Sequence, residues 1–296
     1  MKRIERILLL LFGLIVAGGS VIRGAMLKSA LPESFLKTQS NRLIREDALF
    51  PFFEKIKANQ GPVRVVHLGD SHVRGHVFPV AVRRELEAVW GSDAVEETKI
   101  TYKTSALAKE TGAPGLVYHA IGINGAKYED FDTEKGLKQV SDLKPDMIIL
   151  SFGTNEAHGR NYTESWHETE MDALVQSLRR RCPEAVILLT TPPGSYWSHR
   201  VKTVSAGRSR YVTRRVPNEH TKRVVATQLS YADRWQLPVW DLYGIVGGSL
   251  FACRNWNNAG LQRPDKIHYT PEGYKLQGRL LAEAILNAYQ RYERSL

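Results

Sequence analysis

From Pro62 onward the chain alternates short apolar runs with longer stretches in which apolar positions recur every three or four residues. The short runs are Val63–Leu68, Leu116–Ile121, Asp146–Phe152, Ala185–Thr190 and Leu237–Leu242, and their length and β-branched content predict strands. The amphipathic stretches predict helices near 77–90, 126–140, 163–181, 217–235 and 272–292. Runs such as "MIILSF" and "AVILLT" are continuously hydrophobic, as strands covered on both faces are. This order predicts a three-layer α/β/α sandwich around a central five-stranded parallel sheet, with right-handed crossovers. Residues 42–59 add a helix before the first strand, and residues 20–41 read as a tether. The expected division is therefore a leader over 1–25, a tether and helix over 26–60, and a catalytic domain over 61–296.

The leader stands apart in its charge pattern. Lys2, Arg3 and Arg6 precede the uncharged run "ILLLLFGLIVAGG" from Ile7 to Gly19, the layout of a signal peptide or an uncleaved N-terminal anchor. Export to the periplasm or cell envelope is the expectation. The 296-residue chain is 43% hydrophobic and 24% charged, enough for a sizeable core, and carries a net charge of +10. Its basic surplus is densest in 199–215, where Arg200, Lys202, Arg208, Arg210, Arg214 and Arg215 occur with no acid. That segment reads as a solvated loop or as an electrostatic contact with an acidic polymer or membrane surface. An export signal and the lack of any recognition motif argue against nucleic acid. The two cysteines, Cys182 and Cys253, match no metal spacing, so they either pair or stay as buried thiols.

In a parallel α/β sheet, ligands bind at the carboxyl ends of the strands, so the chemistry is sought there. The first strand ends in Gly69-Asp70-Ser71-His72. Gly, Asp and Ser are ordinary turn and cap residues. A serine at a helix N-terminus also has its backbone N–H and the helix dipole turned toward incoming negative charge. Such a serine needs a base, a carboxylate to orient the base, and oxyanion donors. Asp265 and His268, three residues apart on one side of a turn, supply the first two. The Asn155 amide and the backbone N–H groups of Gly125 and Ser71 supply a candidate oxyanion hole. "WHETEM" at 166–171 lacks the second histidine of a zinc helix, so no metal or cofactor is expected.

The blocks "GDSH", "INGA", "GTNE" and "DKIH", in that order, resemble those of the SGNH/GDSL hydrolases over roughly residues 60–290. The resemblance implies a flavodoxin-like fold, Ser71 as nucleophile, His268 and Asp265 as its partners, and Gly125 and Asn155 in the oxyanion hole. His72 stands where many relatives have Leu, and Glu156 where many have Asp. Together with "LLTTPP" and "DKIHYTPEGYKLQG", these blocks are similar to the periplasmic branch that includes peptidoglycan O-acetylesterases. Some members of that branch carry an inserted β-domain, but Asn124 follows Ser71 by only 53 positions, which leaves no room for one along with a helix and a strand. The implied activity is removal of O-acetyl groups from a cell-envelope polysaccharide. The same triad also serves acetyl transfer between sugars, and a glycan-binding protein without catalysis is the alternative of another class, which an intact triad disfavours. For substrate contact, Trp256 in the Asn-rich loop Ser249–Gln262 is a candidate for stacking on a sugar ring, with packing in the core as the equal alternative. Arg208, Arg210, Arg214 and Arg215, which follow "TTPPGSYW", are candidates for holding an acidic glycan.

Overall fold

In the computed structural model, which describes residues 30–96, 105–205 and 208–296, each of the predicted apolar runs contains a strand. In chain order the strands are β1 (Leu43–Ile44), β2 (Pro62–Gly69), β3 (Ser105–Ala106), β4 (Gly115–Gly122), β5 (Met147–Ser151), β6 (Val186–Thr190), β7 (Tyr196–Ser205), β8 (Arg208–Pro217) and β9 (Val239–Trp240). The helices are α1 (Phe50–Ala58), α2 (Ser71–Arg74), α3 (Val77–Trp90), α4 (Glu134–Asp142), α5 (Thr154–Ala157), α6 (Glu164–Arg181), α7 (Glu219–Trp235), α8 (Leu242–Ile245), α9 (Gly248–Asn258) and α10 (Pro271–Ser295). The main sheet has the order β1-β9-β6-β5-β2-β4-β3. Its five inner strands run parallel, and the two-residue strands β1 and β3 pair antiparallel at the edges. The sheet thus has seven strands where five were expected, because short antiparallel edges flank the parallel core.

Successive residues of the inner strands divide between two cores. Val63, Val65, Leu116, Tyr118, Met147, Ile149 and Leu188 join the core under α1, α3, α9 and α10, with Phe53, Leu86, Trp256 and Leu281. Val66, Leu68, Ile148, Leu150, Ile187 and Leu189 join the opposite core under α4, α6 and α7, with Leu137, Leu174, Leu178 and Tyr231. A strand buried on both faces needs apolar residues at odd and even positions alike, hence the continuous runs. Three layers result, α/β/α.

Several expectations need correction. The helix expected over 126–140 is a 3-10 turn at Tyr128–Asp130 followed by α4, because the Thr133 hydroxyl accepts the Gly136 N–H and starts the helix later. The expected helix over 42–59 opens with β1 and a 3-10 turn before α1. Residues 30–41, read as part of a tether, lie on the body: Phe35 is buried edge-on against Trp256, with ring centroids 5.2 Å apart. The Asn-rich loop at 249–262 is mostly helix α9. The basic loop is an antiparallel ribbon, β7 and β8, outside the main sheet. Cys182 and Cys253 are both buried free thiols, and the Cys253 thiol donates to the Ser195 carbonyl. The leader over 1–25 falls outside the described residues, among which no helix is long and apolar enough to cross a membrane.

Candidate active site

Strand β2 lies between β4 and β5, so the chain leaves it first to one side and then to the other. A crevice opens at the carboxyl end of a strand where the winding direction reverses. Gly69-Asp70-Ser71 occupies that point. Asp70 is the cap of α2, its Oδ1 accepting the His72 N–H at 2.8 Å, and Ser71 is the first helical residue. The cap explains the acid in this tripeptide, and the switch point explains its place in the chain.

The nucleophile turn sits very close to the sheet. A Cβ built on Gly122 would come within 2.2 Å of the Arg74 backbone nitrogen, so no larger residue fits there. The neighbouring "GINGA" turn is fastened at both ends. The Ile123 N–H donates to the Gly69 carbonyl at 3.1 Å, and the Ala126 carbonyl accepts from Asn155 Nδ2 at 3.0 Å. Gly125 between them adopts φ +77°, which favours glycine.

Ser71 Oγ is 2.9 Å from His268 Nε2, and His268 Nδ1 is 3.0 Å from Asp265 Oδ2. An ionised carboxylate only accepts, so Nδ1 carries the proton and the Nε2 lone pair faces the serine hydroxyl. Asp265 is ionised for a definite reason. Partial burial raises its pKa, but the N–H groups of Ile267 and His268, both 2.8 Å from Oδ1, and the imidazole itself outweigh that and hold it below the usual value. The loop that carries the pair is pinned on each side. His268 O accepts the Arg263 N–H at 2.9 Å, and the adjacent Tyr269 is wholly buried with its hydroxyl donating to Gly194 O at 2.6 Å. Beyond it, Thr270 caps α10, whose first residue is Pro271.

Behind the triad the chemistry is buried. Asn155 Nδ2 also donates to Asp70 Oδ2 at 3.2 Å, so Asp70 links the nucleophile turn to the asparagine. Desolvation pushes Asp70 up to about 8, against the His72 N–H and with the Glu156 charge adding to the rise. Glu156, whose Oε2 accepts the Gly153 N–H at 2.8 Å, is likewise raised by burial, to about 7. His72 lies against His268, ring centroids 5.4 Å apart, and its Nδ1 is 2.9 Å from the Tyr274 hydroxyl. Desolvation, with the His268 charge adding, drives His72 down to about 3, so it is a neutral wall beside the triad imidazole. Among the described residues no group of three or more His, Cys, Asp or Glu is placed to hold a metal.

The residues proposed from sequence fall into two sets. Ser71, His268 and Asp265 are hydrogen-bonded in series, with Asn155 and the Gly125 turn tied to the same corner. The candidate substrate contacts are scattered. Trp256 is fully buried in α9 with its indole N–H donating to Pro193 O at 3.1 Å, so it cannot stack on a sugar. Arg208, Arg210, Arg214 and Arg215 are exposed on β8, where alternation puts Arg215 on the face opposite to the other three. Sequence reasoning missed the links supplied by Asp70, Glu156 and the His72–Tyr274 pair. The Asp of "GDS" read as a cap was a partial signal, but a shared contact with Asn155 has no local signature.

A serine, an imidazole and a carboxylate linked in series at the switch point of a parallel α/β sheet have the arrangement that ester hydrolysis through a serine nucleophile requires. The chain belongs to the GDSL-like lipase/acylhydrolase family, whose model matches residues 68–276. Among solved structures it is similar in fold to a peptidoglycan O-acetylesterase, with a TM-score of 0.65 and 18% identity over 83% of this chain and 97% of that one. A protein of the G-D-S-L family from Desulfitobacterium hafniense also aligns, with a TM-score of 0.49 and 16% identity over 75% of this chain and 99% of that one. A carbohydrate esterase family 3 structure from Talaromyces cellulolyticus aligns at 14% identity, TM-score 0.46, over 77% of this chain and 99% of that one. No curated protein matches the chain.

Proposed function

We propose that this hydrolase is an exported serine esterase that removes O-acetyl groups from a cell-envelope polysaccharide, with peptidoglycan as the substrate. The observation that carries the mechanism is the hydrogen-bond series from Ser71 through His268 to Asp265. Ser71 Oγ attacks the acetyl carbonyl while His268 Nε2 takes its proton, and the Asp265 carboxylate stabilises the imidazolium that forms. The N–H groups of Ser71 and Gly125 and the Asn155 amide receive the developing oxyanion. Asn155 does so by sharing a hydrogen that it gives to Asp70 in the free enzyme. His268 then protonates the leaving sugar oxygen, and water attacks the acetyl-serine by the reverse sequence to release acetate.

Two observations support the polymer. One is the likeness in fold to a peptidoglycan O-acetylesterase, beside the resemblance of the motif blocks to the periplasmic branch of the family. The other is the exposed basic ribbon, which suits a glycan with carboxylate-bearing stems better than neutral xylan. Export rests on the charged and apolar pattern of residues 1–19. Acetate release from a panel of acetylated peptidoglycan, pectin and xylan tests the proposal, with Ser71→Ala as control. Preferential release from peptidoglycan is expected. Release only from xylan, or acetyl transfer to added sugar outpacing acetate release, would overturn it.

A further inference from the structure

The β7–β8 ribbon stands on the loops that hold the candidate active site. At its base the Tyr196 N–H donates to Lys266 O at 2.9 Å, inside the Asp265–His268 turn. One residue earlier, Ser195 Oγ is 2.9 Å from Nε2 of His158, which lies just past α5 and three residues beyond Asn155. Trp197 stacks on the His158 ring with centroids 5.5 Å apart and planes 7° from parallel. The ribbon is therefore joined to the base loop on one side and to the oxyanion loop on the other.

From that base ten residue pairs run outward in unbroken register, from Tyr196–Pro217 to Ser205–Arg208, a length of about 30 Å. Directly paired residues share a face, and successive residues alternate. Trp197 and Val216, His199 and Arg214, Val201 and Val212, and Thr203 and Arg210 therefore lie on one face, with Arg208 beyond them. Arg200, Lys202 and Arg215 lie on the other, where the Arg200 guanidinium covers the Tyr211 ring at 5.1 Å. Arg208, Arg210 and Arg214 are exposed, and among the described residues no carboxylate pairs with them. Charges on a lone ribbon also discourage pairing at its free edges. That purpose is met by either face and gives no reason for a line of arginines ending at an aromatic ring beside the site.

We infer that the face bearing Trp197, Arg214, Arg210 and Arg208 is a track for a saccharide chain that carries carboxylates, holding it so that its esters reach Ser71. Guanidinium forks match carboxylates in pairs, and the half-buried Trp197, stacked on His158 and edged by His220 at 5.7 Å, fixes the inner end of the line beside the site. On β8, Arg208 and Arg210 lie about 7 Å apart and Arg214 about 13 Å further along, beyond Val212, separations that their long side chains can adjust to acidic groups along a glycan. The inference rests on the esterase reading above and assigns its polymer specificity to one side of one ribbon.

Two variants that remove equal charge separate the faces: R208Q/R210Q/R214Q and R200Q/K202Q/R215Q. KM is measured for acetate release from acetylated peptidoglycan and acetylated pectin, with p-nitrophenyl acetate as a small uncharged control. The first variant should raise KM on both acidic polymers about fivefold at low salt, with the gap closing at high salt, and the second less than twofold. Turnover of p-nitrophenyl acetate should be unchanged in both. Equal increases in the two variants would overturn the assignment, as would no increase in either, and so would parallel loss on p-nitrophenyl acetate. Co-sedimentation of the Ser71→Ala protein with unacetylated sacculi and with phosphatidylglycerol vesicles reads binding without turnover. Loss of sacculus binding only in the first variant supports the track even if the esterase reading fails. Loss of vesicle binding alone would make the face a membrane contact and overturn it.

Discussion

Strands β5 and β8 are both regular β-structure and differ in nearly everything else. Four of the five β5 residues are buried, between two helical layers, whereas β8 is exposed along most of its length on both faces. Four arginines would unfold the first and cost the second almost nothing. The contrast separates two jobs. Positioning Ser71 needs a rigid strand end held by a core, while choosing a polymer needs a surface that the core does not depend on. Catalytic geometry and substrate choice should then fail independently.

The largest effects should come from the switch point. Ser71→Ala and His268→Ala should each lower p-nitrophenyl acetate hydrolysis by about 1,000-fold or more, and by similar amounts because the pair acts as a unit. Circular dichroism and thermal midpoints should stay at the parent values. A Ser71→Ala protein that kept a tenth of its activity would remove the triad from the account. Next comes the core. Trp256→Ala should cost about 3–5 kcal/mol in denaturant unfolding, while the R208Q/R210Q/R214Q ribbon variant should stay within about 0.5 kcal/mol of the parent. Comparable losses in both would break the contrast between body and ribbon.

A smaller effect concerns pH. His72 is held neutral, with its pKa lowered from 6.5 to about 3 by burial first and the His268 charge next. The unfolded chain binds a proton there below pH 6.5 that the folded chain refuses, so stability is fully present above that pH and falls as pH drops toward 3. At pH 5 the loss is on the order of 2 kcal/mol from this residue. His72→Leu, the residue many relatives carry, should narrow the difference in unfolding free energy between pH 7.5 and pH 5 by about that amount. An unchanged difference would show that His72 is not the source.

What could be read from the sequence follows the same division. The five parallel strands were legible because burial on both faces leaves an unbroken apolar run, and the blocks at their ends were legible because each is contiguous. Helix α9 was hidden by its asparagines. Asn255 is buried there to satisfy main-chain groups, donating to the carbonyls of Leu36 and Val246 and accepting the Leu36 N–H, so a polar residue serves the core. For that reason the sequence alone leaves Trp256, next to it, open between a surface ring and the core packing that the structure shows. The ribbon was hidden because a strand exposed on both faces has no apolar alternation to detect. The contact of Asp70 with Asn155 joins residues 85 apart, which no local pattern encodes.

The central claim is that Ser71, activated by His268, forms the acyl intermediate. Incubation with a fluorophosphonate, followed by intact-mass and peptide analysis, tests it directly. The account predicts one adduct per chain on the peptide containing Ser71, growing in step with loss of esterase activity and greatly slowed in His268→Ala. An adduct on another residue, or full esterase activity in protein labelled at Ser71, would contradict it.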